Sequence, residues 1–229
     1  MKTKIFAAIC AVLFIAIAVQ RCIAQSVLTN GNFETGDFYG WTFFTNANGN
    51  IQQPSVVNFD ITDTGTLTPA ARFQVGSAIA SPALEGGGGI YQTFNLPTEA
   101  NLTFTMNAAI YSEYYNGSGG IISALLDQQT VAEWDVGTLG FGGVTVYTNL
   151  TEIITGVSPG EHQIEIDIER FGGAGNQTPY QYISDISLTP SAAPEPNLLP
   201  ITLILAFALI RLRRRKPSQT SPNTALEPL

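Results

Sequence analysis

Three acidic side chains at alternate positions, Glu165, Asp167 and Glu169, stand between Ile164, Ile166 and Ile168. On a strand, residues two apart share a face and sit roughly 7 Å from one another. A row of that spacing suits a hard cation, or the carboxylate pair of glycoside hydrolysis, which works at separations of about 5 to 9.5 Å. Every acidic strand meets the same test, so the row reads first as a solvated outer face whose charges discourage edge pairing. Gly156-Val157-Ser158-Pro159-Gly160 has the G-x-S-x-G spacing of a hydrolase nucleophile elbow. That elbow needs a following helix and the backbone N–H of the residue after the serine. Pro159 has no N–H and a strand pattern follows, so the segment reads as a turn. His162, the only histidine, lies just beyond it and reads as exposed polar surface rather than as a triad member. Two polar-aromatic segments remain as ligand contacts: Tyr111, Tyr114 and Tyr115 before Asn116-Gly117, and Gln177, Tyr180 and Gln181. Tyrosine rings stack on apolar ligand faces while amides read hydroxyls. Trp41 and Trp134 read as core.

The elements that must carry these residues are strands. Leu102, Phe104, Met106, Ala108 and Ile110 alternate with Thr103, Thr105, Asn107 and Ala109, a period of two. Ile164, Ile166 and Ile168 alternate with the acidic row in the same way. Shorter runs over 41–44, 56–59, 71–75, 89–94, 121–126, 130–134, 144–150 and 182–188 are punctuated by Gly86–Gly89, Gly142-Gly143, Pro159-Gly160 and Gly172-Gly173. One-sided alternation over many short antiparallel strands predicts an all-β sandwich of two packed sheets.

The ends of the chain are of another kind. Lys2 and Lys4, an apolar run Ile5–Val19 and the small residues of Cys22-Ile23-Ala24 predict a signal peptide over 1–24, cut by signal peptidase before Gln25. Both cysteines fall inside it, so the mature chain crosses into an oxidising compartment with no disulfide and no thiol, and the common zinc sites are excluded. In the span 25–193 the only cations are Arg72 and Arg170, against sixteen Asp and Glu, a balance of −14. Such a surface repels nucleic acid. At the other end Pro194-Glu195-Pro196 leads into the apolar run Leu198–Ile210 and then Arg211, Arg213, Arg214, Arg215 and Lys216. As a helix that run is roughly 20 Å long against a hydrocarbon core of about 30 Å, with snorkelling arginines extending its reach. The basic cluster sets its C-terminal side in the cytoplasm.

A Pro-Glu-Pro triplet, a short apolar transmembrane helix and an arginine cluster, here 194–216, closely resemble the C-terminal sorting signal of the PEP-CTERM exported proteins of Gram-negative bacteria. The resemblance implies recognition by an exosortase, transient anchoring in the inner membrane, and final placement at the cell surface or in an exopolysaccharide-rich, biofilm-associated extracellular matrix. One departure is the polar segment 217–229 beyond the arginines, expected as a disordered cytoplasmic tail. In the 25–193 ectodomain, Leu28-Thr29-Asn30-Gly31-Asn32-Phe33-Glu34 through Trp41 and the closing Tyr182-Ile183-Ser184-Asp185-Ile186-Ser187-Leu188 resemble carbohydrate-binding modules with the galactose-binding-like jelly roll. That resemblance implies first and last strands side by side and a structural calcium held by Glu34 and Asp185. Three functions follow in order: a non-catalytic surface or matrix protein, a carbohydrate-binding module, and a glycosidase. Replacing Pro194, Glu195 and Pro196 with alanine is expected to trap the protein at the inner membrane. Fractionation that finds the variant distributed like the wild type excludes the sorting mechanism.

Overall fold

The computed structural model describes residues 25–79, 84–113, 117–140, 142–174 and 179–192. Chain contacts divide the molecule into Met1–Ala193 and Pro194–Leu229, and all described residues fall in the first part. The segments expected as signal peptide (1–24), sorting signal (194–216) and tail (217–229) lie outside them. Among the described residues no helix is long and apolar enough to cross a membrane.

In chain order the strands are β1 (Thr42–Thr45), β2 (Gly49–Asn50), β3 (Ser55–Phe59), β4 (Thr68–Phe73), β5 (Gly76–Ser77), β6 (Glu85–Leu96) and β7 (Ala100–Ser112). They continue as β8 (Gly117–Ser118), β9 (Ile121–Leu126), β10 (Gln129–Asp135), β11 (Thr138–Leu139), β12 (Val144–Val157), β13 (Gly160–Phe171) and β14 (Tyr180–Ala192). They form two five-stranded sheets, a front sheet β1-β6-β13-β9-β10 and a back sheet β12-β7-β14-β4-β3, antiparallel throughout. Two short ribbons, β2-β5 and β8-β11, complete the pairing. The fold is an all-β sandwich.

Alternation places the core as the sequence predicts. Leu102, Phe104, Met106, Ala108 and Ile110 of β7 meet Ile164, Ile166 and Ile168 of β13 in one cluster, together with Ile90, Phe94 and Leu96 of β6 and Ile183 and Leu188 of β14. All but Phe94 are at most 2% exposed. At about 1.5–3 kcal/mol for each large apolar side chain buried, this shared interior is the main favourable term in a domain with no cross-link. Trp41 is buried and Trp134 packs half-buried against the same cluster.

Residues 26–31, at the start of the described chain, lie against the last strand. Val27 N–H donates to the Leu188 carbonyl at 2.9 Å, and Ile186 N–H to the Gly31 carbonyl at 3.0 Å. The approach is so close that a Cβ on Gly31 would sit 1.9 Å from the Ile186 carbonyl oxygen, which only glycine permits. Asn30, at φ +54°, ties the loop behind it by donating from Nδ2 to the carbonyls of Asp37 and Tyr39, while Trp41 Nε1 donates to the Asn30 carbonyl. The Asn-Gly-x-Phe…Trp pattern is thus a staple, with Phe33 and Trp41 6.2 Å apart beneath it.

Two expectations are corrected. Gly86–Gly89 do not break a strand but lie inside β6, between β1 and β13. A Cβ on Gly89 would fall 1.9 Å from the Ile166 carbonyl oxygen, so these glycines serve close strand approach rather than a turn. His162 is not exposed: it is 8% accessible and inward-facing, its ring 5.6 Å from that of Phe94.

Candidate functional site

The outer face of the back sheet carries an aromatic end and a polar end. Tyr111 of β7 stands directly opposite Tyr180 of β14, and Ala109 opposite both Tyr182 and Tyr147 of β12. The small Ala109 leaves room for these rings to gather around it, with Ile61, Val57 and Phe59 beside them. Phe59 stacks on Tyr182 at 3.7 Å and 6°, and Tyr180 meets Tyr182 at 6.3 Å. Burial pushes the Tyr182 hydroxyl up and neighbouring Arg72 offsets part of that. Tyr111, Tyr147 and Tyr180 remain half-buried, with ring surface open to solvent.

Toward the other end of that face β14 bulges between Ser184 and Ser187, and Asp185 takes φ +53°, a left-handed conformation that an aspartate tolerates. The bulge aims the exposed Asp185 carboxylate across the sheet. Asn107 Nδ2 donates to its Oδ2 at 2.9 Å, Asn149 Nδ2 to Asn107 Oδ1 at 2.7 Å, and Thr151 Oγ1 to Asn149 Oδ1 at 3.0 Å. Beside this ladder a cleft of about 460 Å³ opens against the N-terminal staple, lined by Ser26, Asn30, Asn32, Thr105, Asp185 and Ser187 among others.

Of the residues expected to contact ligand, Tyr111 and Tyr180 come together. Gln181 does not join them. It is fully buried, one position out of phase with Tyr180, and its Oε1 accepts the Val75 N–H at 2.9 Å. Tyr114 and Tyr115 lie outside the described residues. Asp185 lines the cleft, whereas Glu34 sits exposed in the N-terminal turn, its N–H on Asn32 Oδ1, and is not part of that lining. Among the described residues no group of three or more His, Cys, Asp or Glu is arranged to hold a metal ion. A calcium at Asp185 would therefore draw most of its oxygens from carbonyl, amide and hydroxyl groups such as Asn30, Asn32 and Ser187. Tyr147, Tyr182 and Arg72 were missed as site residues. Tyr182 was readable from its i+2 relation to Tyr180, but Tyr147 joins them only through the sheet order.

The front sheet presents the acidic row. β13 is its central strand, so Glu165, Asp167 and Glu169 guard no edge. They lie opposite Tyr91, Gly89 and Gly87 of β6 and Leu125, Ser123 and Ile121 of β9. Phe44 and Tyr91 pair at 6.5 Å beside them, and Asn46 Nδ2 donates to Glu169 Oε1 at 3.0 Å. Burial, then the charges of Glu169 and Glu165, push the Asp167 carboxyl up to about 6, and its Oδ1 is inaccessible with no hydrogen-bond partner. His162 has the carboxylate contact of a triad but not its serine hydroxyl. Nδ1 meets Asp127 Oδ2 at 2.7 Å and Nε2 meets the Ser158 backbone carbonyl, not its hydroxyl, at 2.8 Å. Two acceptors on one ring favour the imidazolium, and the Asp127 bond, against the opposing effect of burial, raises the histidine above its ordinary value.

No protein-family profile matches the chain, and no curated protein does. Solved structures similar to it include the carbohydrate-binding module TmCBM61 in complex with β-1,4-galactotriose, at 17% identity over 73% of this chain and 100% of that one, TM-score 0.42. Others are a cyclase from Fischerella sp. TAU, at 16% identity over 74% and 99% with TM-score 0.46, and a CBM4 module, at 12% over 72% and 99% with TM-score 0.40. Binding modules and an enzyme stand side by side here, and at these identities and scores they assign no function.

Two of the raised groups, Asp167 and His162, give a pH dependence that can be tested. Folded Asp167 keeps its proton to a higher pH than an ordinary aspartate at 3.8, so its contribution to stability is lost as pH rises from about 4 to about 6. His162 contributes fully below its ordinary 6.5, and that contribution is lost as pH rises through its higher folded value. Asp167→Asn is expected to melt above wild type at pH 7.5, with the gap closing by pH 4. A gap that stays constant across thermal melts over that range refutes the assignment.

Proposed function

We propose that the domain is a non-catalytic carbohydrate-binding module on a jelly-roll-like sandwich, displayed by an exported surface or matrix protein. The observation that carries this reading is the pairing of half-buried tyrosines with a side-chain amide and carboxylate ladder on one sheet face. Rings of Tyr111, Tyr180 and Tyr147 offer flat apolar area for the C–H face of a pyranose. Asn107, Asn149 and Asp185, their positions set by one another, offer directed acceptors and donors for hydroxyls. The exopolysaccharide of the matrix is the natural partner for a protein sorted there. Calcium belongs to the same reading, held at Asp185 with oxygens of Asn30, Asn32 and Ser187 rather than at Glu34, tying the first segment to the last strand.

A glycan array probed with the full-length protein in detergent is expected to show binding that Tyr111→Ala with Tyr180→Ala lowers by at least tenfold. Silence across the array returns the protein to the surface class without a glycan ligand, and turnover of a bound glycan makes it an enzyme. Calcium one hundredfold above its Kd would stabilise by about 2.7 kcal/mol, a rise of a few degrees in Tm over EDTA that Asp185→Ala removes. Identical melting of the wild type in calcium and in EDTA excludes the site.

A further inference from the structure

We propose that the tyrosine face takes a carboxylate-bearing sugar, a uronate unit of a polysaccharide, with Arg72 as its anion-binding residue. This rests on the glycan reading and names the class of glycan. Among the described residues Arg72 and Arg170 are the only Lys or Arg, and Arg170 is 2% exposed. Arg72 is therefore the one cation a ligand can reach. All sixteen carboxylates of the span 25–193 are among the described residues, yet none forms an ion pair with Arg72. In a domain with a balance of −14, an accessible guanidinium with no carboxylate on it is the exception.

Its neighbours hold it without neutralising it. Nη2 donates to Ser55 Oγ at 3.0 Å, and the guanidinium carbon lies 5.2 Å from the centre of the Tyr180 ring. A cation over an aromatic face is attracted to it and oriented by it. The planar fork has five N–H donors and matches a carboxylate with two parallel bonds. Tyr180 stands directly opposite Tyr111, so open ring area lies alongside the guanidinium. A uronate joins the two needs in one residue: a carboxylate fixed to a pyranose whose C–H face stacks on tyrosine. The acidic row faces away on the opposite sheet, and at physiological ionic strength charges beyond about 8 Å are largely screened.

The test uses affinity gels containing polygalacturonate or alginate, each beside its carboxyl-reduced neutral form, with the full-length protein in detergent. The expected result is retardation by a polyuronate at least tenfold stronger than by its reduced form, with Arg72→Gln losing that preference and Arg72→Lys keeping part of it. Equal retardation by charged and reduced polymers, still abolished by Tyr111→Ala with Tyr180→Ala, overturns the uronate assignment and leaves glycan binding standing. Retention of the preference by Arg72→Gln overturns the role of Arg72. Retardation by neither polymer, with neutral glycans bound on the array, overturns the uronate class alone, and silence in both experiments overturns the glycan reading with it. The charged-against-reduced comparison on wild type needs no variant to fold.

Discussion

The contact between Gly31 and Ile186 is what the working face of this molecule depends on. Backbone meets backbone there at a distance no side chain allows, and the hydrogen bond from Ile186 N–H to the Gly31 carbonyl closes the start of the chain onto its last strand. With no cysteine in the span 25–193, no covalent bond does this work. The same contact lies within the β14 bulge, between Ser184 and Ser187, where Asp185 turns left-handed and faces Asn107. The staple, the cleft and the polar ladder are therefore one construction. Loosening its glycine end would release the aspartate at the other.

A period of two makes most inward positions of β7, β13 and β14 apolar, His162, Arg170 and Gln181 being exceptions near strand ends, and leaves the outward positions free to differ between sheets. The back sheet uses that freedom for tyrosines, amides and the one accessible arginine. The front sheet uses it for three carboxylates on its central strand. Segregation of this kind matters in a strongly acidic chain. It leaves Arg72 beside neutral hydroxyl and aromatic partners on one face while like charges crowd Asp167 on the other.

The alternation of Leu102–Ile110 and Ile164–Ile168 was legible because burial on one side of a strand is a local rule, and both runs face the core as read. The nearness of chain start and last strand was legible only through the resemblance of the end motifs. What escaped reading was set by partners distant in sequence. Gly86–Gly89 look like a break until β1 and β13 close on them from both sides. Gln181 looks like a companion of Tyr180 until the strand phase turns it inward onto Val75. His162 looks exposed until Asp127, from the β9–β10 turn, and Ser158 take its two nitrogens. Arg72 carries no local sign of function. Its meaning comes from β14 lying next to β4, a pairing that sequence spacing does not encode.

Charge placement shows how the domain divides stability from recognition. Arg170, at the end of β13, is buried and donates to the carbonyls of Ser118 and Gly173, so its charge is spent on joining loops at that end of the sandwich. His162 does the equivalent at the start of the same strand, with Asp127 and the Ser158 carbonyl. Both side chains are held by fixed acceptors, and a ligand reaching them would have to break those bonds first. Arg72 has the opposite arrangement, with the neutral hydroxyls of Ser55 and Tyr182, the Tyr180 ring beside it and no counter-charge. A buried charge must be satisfied by its own chain, because leaving it unpaired costs several kcal/mol. A half-buried one on a sheet face is free to be completed by something else.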